Sequence, residues 1–262
     1  MVRFYGRLLN WLIVNCLCGL FVVCSVSASA QLINIEKKRK LETLGFSGSV
    51  QLGGKWAQNV NKILSFENNV ALQYTKNAHT FLLFNDMNII QINNSNLANN
   101  GYRHLRYSYT LGDSTAYTLE VFGQHQNDVI KKLDLRVLAG GGMRFRLLKN
   151  DGGYVYFAPL LMWEHERFTD FANPDFDVLK WDMYLVSSFL LWERLHFMTI
   201  TYYQPEVAAM GRFRLSHESS LDFPIFKSLS FVVSFSLQYD SYPAVDVPAV
   251  FVEYKNTLKY SF

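Results

Sequence analysis

The sequence predicts an all-β protein, a transmembrane antiparallel up-and-down β-barrel of about twelve strands. Three observations carry this prediction. Apolar and polar residues alternate with a period of two through most of residues 45–262, as they do in a strand with one apolar face. Twelve such segments leave about 18 residues for each strand and its connection, which suits membrane-spanning strands. The chain also closes on an alternating segment with an aromatic terminus, Phe262.

The first thirty residues predict a cleaved secretory signal peptide. Arg3 and Arg7 form a short basic region, residues 8–26 are mostly apolar, and Ala28-Ser29-Ala30 offers a small-residue cleavage site. We therefore expect cleavage near Ala30 and export from the cytoplasm. All three cysteines fall inside this leader, so the mature chain is expected to hold no disulfide and no thiol nucleophile.

Domain organisation follows from the same boundary. Residues 1–30 are the predicted leader, 31–44 a periplasmic segment with the basic run Lys37–Lys40, and 45–262 the barrel. The leader carries two arginines and no acid, so its removal lowers the net charge from +3 to +1. A nearly neutral chain argues against a nucleic-acid partner. No later run of about 18 apolar residues predicts a transmembrane helix.

Each predicted strand rests on its own alternation, which is clearest in the first, tenth, eleventh and twelfth. The third is ambiguous, because Leu82 and Phe84 interrupt its polar face. The seventh contains Pro159, which removes a ladder hydrogen bond and predicts a bulge. The ninth alternates weakly. The twelve predicted strands are 46–56, 63–75, 79–92, 102–111, 115–126, 133–148, 154–167, 178–192, 195–205, 212–225, 229–239 and 250–262.

The connections are predicted to alternate in length. Short turns join the strands at one end of the barrel, and longer polar loops join them at the other, as in outer-membrane barrels. An even strand number places both chain termini at the short-turn end, which is the periplasmic side. The predicted longer loops are 57–62, 93–101, 127–132, 169–177, 206–211 and 241–249.

The two faces of the strands predict the partners. The outward faces are apolar and rich in aromatic residues, which suits a lipid bilayer and its lipopolysaccharide leaflet. The inward faces carry charges that nearly cancel. One interpretation is an ion-pair network that holds the lumen shut, and the other is a narrow channel or a site for small solutes or ions. The predicted inward charges are Asp86, Glu120, Asp134, Glu164, Glu166, Asp182, Glu218, Asp222, Asp240, Arg106, Arg136, Arg144, Arg146, Lys180, Arg212 and Arg214.

The last eight residues resemble the C-terminal assembly signal of bacterial outer-membrane barrels. Tyr260 and Phe262 supply its aromatic positions, whereas Thr257 stands where a glycine is usual. The resemblance implies recognition by the barrel-assembly machinery, with Tyr260 and Phe262 as the residues that are read.

No residue pattern predicts a cofactor, a metal site or an enzyme. The six histidines lack metal-ligand spacing. Gly140-Gly141-Gly142 lies within a strand, which favours close backbone packing over a phosphate loop. Glu164 and Glu166 both face inward, and an ion network explains them more simply than acid–base chemistry. His217 and Ser219 face outward, and a membrane-embedded lipid-modifying enzyme is the alternative they leave open.

Several stretches resemble the salt-induced outer-membrane protein family, a bacterial β-barrel group of unknown function. They are GFSGSV at 45–50, GYRHLRY at 101–107, GGGMRFR at 140–146, YYQP at 202–205 and ESSL at 218–221. The resemblance covers about residues 34–262. It implies a barrel in the bacterial outer membrane and no assigned reaction, ligand or catalytic residue. The function expected is a structural barrel related to envelope or salt stress, or a narrow passive channel. A closed-lumen structural or adhesive barrel is a further alternative.

Overall fold

The computed structural model of the protein describes residues 39, 44–58, 61–93, 95–112, 116–129, 131–170, 172–191, 194–226 and 229–260. The predicted leader and the terminal Phe262 lie outside these residues. Within them, no helix is long and apolar enough to cross a membrane.

The described residues form a single sheet of twelve antiparallel strands in sequence order, in which each strand pairs with the next one along the chain. This confirms the predicted all-β, up-and-down architecture. The strands are β1 Gly45–Gln58, β2 Lys62–Lys76, β3 His79–Ile92, β4 Ser95–Leu111, β5 Tyr117–Asp128, β6 Leu133–Asn150, β7 Gly153–Phe168, β8 Phe176–Leu191, β9 Leu195–Pro205, β10 Phe213–Phe226, β11 Leu229–Asp240 and β12 Val250–Tyr260.

The sheet curls around a common interior, because side chains from distant strands meet there. Tyr184 on β8 donates a hydrogen bond to Glu120 on β5 over 2.7 Å. Arg214 on β10 contacts Glu166 on β7 at 2.6 Å. The ammonium of Lys131, between β5 and β6, lies 5.5 Å from the ring centroid of Phe251 on β12. This curvature fits a barrel of twelve strands.

Burial alternates along the strands as the period-two pattern predicts. On β7, Ala158, Leu160 and Met162 are fully buried in the interior. Their neighbours Leu161 and Trp163 point outward and are 39% and 42% exposed. Large exposed hydrophobic side chains occur on every strand except β9 among the described residues, so the outer surface is extensively apolar.

The glycine run at residues 140–142 brings β6 close to both of its neighbours. A Cβ atom on Gly142 would lie 2.6 Å from the carbonyl oxygen of Pro159 on β7. One on Gly141 would lie 2.7 Å from the carbonyl oxygen of Glu120 on β5. Side chains do not fit at such separations, which agrees with the predicted close backbone packing.

The connections differ from the predicted alternation in length. One end of the sheet, the turn end, carries residues 77–78, 112–116, 151–152, 192–194 and 227–228. The other, the loop end, carries residues 59–61, 93–94, 129–132, 169–175, 206–212 and 241–249. Only the last three are long. The loop predicted at 93–101 is wrong, because β4 begins at Ser95 and pairs with β3 through Asn88↔Asn100, past a bulge at Ile90.

Two register predictions are also wrong. No bulge occurs at Pro159, since the pairs Gly142↔Leu160 and Phe145↔Phe157 keep one register on both sides of it. A register shift lies instead between Leu133 and Leu135. The extra residue there turns Leu133 inward and Asp134 outward, because a bulge reverses the alternation of side chains. Asp134 therefore pairs with Arg167 on the exposed surface at 2.7 Å.

Candidate functional site

The interior contains a first group of charges around Glu120, in the half nearer the turn end. Its carboxylate contacts Arg106 at 3.1 Å and Arg144 at 3.9 Å, and it accepts a hydrogen bond from Tyr184. Arg39, which precedes β1, reaches the same carboxylate at 2.7 Å with its side chain 6% exposed. We call these five residues the Glu120 cluster. One carboxylate thus gathers three guanidinium groups, including one from the segment before the sheet.

A second group of charges, two carboxylates with three cations, lies in the half nearer the loop end. Glu164 contacts Arg136 and Lys180, each at 2.6 Å. Glu166 contacts Arg136 at 3.0 Å and receives two hydrogen bonds from the guanidinium of Arg214, at 2.6 and 2.9 Å. We call these five residues the Glu164 cluster. Bidentate guanidinium–carboxylate pairing is among the strongest polar contacts available to a protein.

An apolar band fills the interior on the turn side of the Glu164 cluster. Along β7 the inward side chains run from Tyr156 through Leu160 and Met162 to Glu164. These side chains lie on the adjacent strands β5 to β9. The band packs beside the Glu120 cluster, because Tyr184 belongs to both and the Arg144 guanidinium lies 3.9 Å from the ring centroid of Tyr156. Its buried members are Phe122, Leu138, Tyr156, Ala158, Leu160, Met162, Tyr184, Val186, Ile200 and Tyr202.

A cavity of about 320 Å³ lies between the apolar band and the loop end. Its floor includes Leu138, Met162 and Tyr202 from the band, and its wall includes Arg136 and Asp182. The connections 169–175 and 241–249 contribute its roof. This loop-end cavity has the size of the smaller ligand pockets in proteins, which begin at about 300 Å³.

The roof of the loop-end cavity is tied together by polar contacts. The Lys132 ammonium lies 3.1 Å from both Asp170 and Asp246, which belong to different connections. The backbone N–H of Val245 donates to the side-chain oxygen of Asn173 over 2.7 Å. The hydrogen bonds that Lys132 donates to Asp170 and Asp246 raise the pKa of Lys132, and the bond from Lys132 lowers the pKa of Asp170. The ion pairs are therefore fully formed near neutral pH.

Lys131 lies at the edge of the loop-end cavity and differs from its neighbour Lys132. Its ammonium donates to the side-chain oxygen of Gln238 over 2.8 Å and lies 4.0 Å from Asp128. Burial lowers the pKa of Lys131 to about 8, against the weaker opposing effect of Asp128. A fraction of this side chain is thus neutral at mildly alkaline pH.

The predicted inward charges divide into those that meet and those that do not. Arg106, Glu120 and Arg144 lie in the Glu120 cluster, and Arg136, Glu164, Glu166 and Arg214 lie in the Glu164 cluster. Asp182 is buried and accepts from Gln204 over 2.8 Å. Glu218 is buried, and Arg146 and Asp222 are half-buried towards the turn end.

The inward placement of Arg212 is wrong. β10 begins one residue later, so Arg212 belongs to the exposed connection 206–212, and its guanidinium lies 4.2 Å from the ring centroid of Tyr242.

The predicted assembly signal stays a prediction. Tyr260 ends β12 opposite Leu229, its side chain is outside the described part of the chain, and so is Phe262.

Three features of the interior escaped sequence reasoning. The apolar band was missed because inward Leu160 and Met162 sit beside outward apolar residues, which hides the alternation. Leu82 and Phe84, which interrupt the polar face of the third predicted strand, are buried in a separate, smaller cluster with Ala71. His104 and Tyr184 lie on the inward faces of the fourth and eighth predicted strands, but the predicted charge network omits them because neither carries a permanent charge. Arg39 was missed because nothing in the sequence links the basic segment to Glu120.

The outward His217 and Ser219 do not form a nucleophile pair with each other. The Nδ1 atom of His217 lies 2.9 Å from the hydroxyl of Thr201, its cross-strand neighbour on β9. Ser219 pairs with Thr199 and Phe235 in the ladder. The described residues also hold no group of three or more His, Cys, Asp or Glu side chains with the geometry of a metal site.

Comparison with known proteins gives one family match. No curated protein matches the chain significantly. A family model described as "protein of unknown function, DUF481" matches residues 50–262, which includes all of β2 to β12 and both charge clusters except Arg39. The match covers most of the chain and assigns no reaction, ligand or partner. The protein therefore belongs to this family of unknown function.

Proposed function

We propose that the protein is a non-enzymatic outer-membrane β-barrel whose interior is closed, and that it serves the cell envelope as a structural barrel rather than as a passive channel. The single observation that carries the closed interior is the burial of the side chains that fill it, which are those of the apolar band and of the two charge clusters. A role in envelope or salt stress agrees with the resemblance noted in the sequence, and it forms part of the same proposal.

The membrane location is supported by the outer surface. Exposed large hydrophobic side chains on eleven of the twelve strands would be costly in water. A bilayer removes that cost, since its core is itself apolar. The bilayer core also offers the backbone no hydrogen-bond partner, so a sheet that spans it must pair every strand. The lipid bilayer and its lipopolysaccharide leaflet are thus the proposed partners of the outer face.

The closed interior is supported by the nature of the groups that fill it. A water-filled channel requires a continuous polar path, as in the porins. Here Ala158, Leu160, Val186 and Ile200 have no measurable exposure. The Glu164 cluster lies on one side of the band, and its charges are held by one another instead of by water. Ions would have to displace buried apolar side chains or break buried ion pairs, and either is energetically costly.

Membrane location is tested by fractionation of cells that express the full chain. We expect the mature protein in the outer-membrane fraction, in a form that detergent extracts and high salt does not. Recovery in the soluble fraction without detergent would overturn the membrane part of the proposal.

The closed interior is tested by conductance across a planar lipid bilayer. Wild-type protein, with insertion verified by co-flotation with vesicles, should give no stepwise current. The inward double variant Leu160→Ala, Met162→Ala thins the band, and the outward variant Leu161→Ala on the same strand is its matched control. A stable ohmic conductance of the wild type would overturn the closed interior and support the channel.

A further inference from the structure

The loop-end cavity contains a buried carboxylate without an ion-pair partner among the described residues. Asp182 is 3% exposed and lines the cavity. Its Oδ1 atom accepts one hydrogen bond from Gln204 over 2.8 Å. Carboxylates buried to this extent normally have ionic or several hydrogen-bond partners. The remaining acceptor capacity of Asp182 is therefore available to a group inside the cavity.

His104 offers a second acceptor in the same cavity. It is 2% exposed, and its Nδ1 atom lies 3.3 Å from the side-chain oxygen of Gln124. That oxygen accepts only, so the contact requires the tautomer with hydrogen on Nδ1. The Nε2 atom is then an acceptor, and it is buried without a hydrogen-bond partner within the described chain.

Arg136 offers a donor. Its Nε atom is engaged by Glu164, and its Nη1 atom lies 3.4 Å from the side-chain oxygen of Gln126. Its Nη2 atom is buried and has no hydrogen-bond partner in the part of the chain that the structure describes. All three residues line the loop-end cavity. The cavity thus presents two unused acceptors and one unused donor, each fixed by its other contacts.

The charge around the cavity disfavours an ionic ligand. An anion would meet the carboxylates of Glu166, Asp182 and Asp240. A cation would meet the positive charges of Arg106, Lys131, Arg136 and Arg214, and all seven residues line the cavity. A hydroxyl group donates one hydrogen bond and accepts others, so it complements both kinds of unused group without carrying charge. The rings of Tyr102 and Tyr202 line the same space and offer apolar surface to the C–H faces of a ligand.

We propose that the loop-end cavity binds a small, uncharged molecule rich in hydroxyl groups, such as a mono- or disaccharide, with Asp182 and His104 accepting from its hydroxyls and Arg136 donating to one. The cavity volume of about 320 Å³ limits the ligand to this size class. Entry is from the loop end, because the apolar band closes the opposite side. This inference goes beyond the proposed structural role, and a conductance result does not decide it.

The test is isothermal titration calorimetry of the full mature chain in detergent micelles. Glucose and maltose are the uncharged probes, with alanine as a zwitterion and inorganic phosphate as an anion. We expect saturable binding of at least one of the two sugars, and none of alanine or phosphate. Absence of saturable sugar binding, or tighter binding of alanine or phosphate than of either sugar, would overturn the proposal.

Two variants locate the site. Asp182→Asn keeps the shape and removes the charged acceptor, so sugar affinity should fall by about tenfold or more. The matched control is Asp177→Asn on the same strand, which is exposed and should leave affinity unchanged. Ala244→Trp fills the roof without altering a strand, and should abolish binding. Circular dichroism verifies the fold of each variant, and unchanged affinity in both Asp182→Asn and Ala244→Trp would overturn the proposed location.

Discussion

The Arg214→Met substitution tests whether the Glu164 cluster stabilises the curled sheet. Arg214 holds carboxylates from two other strands: Glu164 and Glu166 on β7, and Asp240 on β11, whose Oδ2 atom lies 2.6 Å from its Nε atom. Methionine retains much of the side-chain length and removes the charge. The substitution therefore leaves the apolar packing nearly intact while it deprives three acids of a shared cation.

The expected loss of stability depends on which cations each carboxylate still contacts after the substitution. Glu164 retains Arg136 and Lys180, and Glu166 retains Arg136 at 3.0 Å. Removing one partner of a buried pair costs about 3–5 kcal/mol when the other is left uncompensated. Because other cations remain nearby, we expect the lower end of that range, a loss of about 3 kcal/mol in the free energy of unfolding.

The assay is equilibrium unfolding by urea of the protein reconstituted in lipid vesicles, followed by tryptophan fluorescence. Arg167→Met is the matched control, since its 2.7 Å pair with Asp134 has both side chains about half exposed. That change should cost less than about 1 kcal/mol. Equal losses in the two variants would refute the reasoning, because Arg214 holds three largely buried carboxylates and Arg167 holds a single half-exposed one.

Three further changes have expected outcomes in the same unfolding assay. Gly142→Val places a Cβ atom 2.6 Å from a carbonyl oxygen and should lower the free energy of unfolding by about 1–3 kcal/mol. The control Gly211→Val, with no atom within 4 Å of its Cβ position, should lower it little. Similar losses of stability in the two variants would contradict the close packing at Gly142. Tyr184→Phe removes the 2.7 Å hydrogen bond to Glu120 and should cost about 1.5–3 kcal/mol; an unchanged midpoint would show the bond to be unimportant. Burial lowers the pKa of Lys131 to about 8, so between about pH 8 and about pH 10 the unfolded chain binds more protons than the folded chain. The free energy of unfolding of the wild type should therefore rise over this range by about 1–2 kcal/mol relative to that of Lys131→Met. A difference between the two proteins that stays constant with pH would contradict this.

Strand number and order were predictable because the alternation of side chains is a local property. Most strands carry it unbroken, and each of the twelve predicted segments corresponds to one strand. Prediction failed where pairing depends on a partner strand. The asparagine-rich residues 95–101 resemble a loop by composition, yet they extend β4 because β3 continues alongside them. The bulge that turns Asp134 outward is likewise set by the register with β7.

Of the candidate site, only the inward charged residues could be predicted from the sequence. A charged residue at a polar position of an alternating strand points inward, which places Glu120, Arg136 and Glu164 correctly. Which charges meet depends on the curvature and relative height of strands far apart in sequence, and neither is encoded in a local pattern. The loop-end cavity depends further on the roof formed by residues 241–249. Only three-dimensional packing brings that roof over Asp182 and His104.

The burial of Arg39 bears on the order of events during biogenesis. A side chain that precedes the first strand is enclosed beside Glu120 on the fifth, so it is surrounded by segments that are synthesised after it. Placing it there after the curled sheet has formed would require the strands to move apart again. Arg39 must therefore reach Glu120 early, while the sheet is still forming. A folded domain fused directly before this arginine would obstruct that step and slow the last stage of folding.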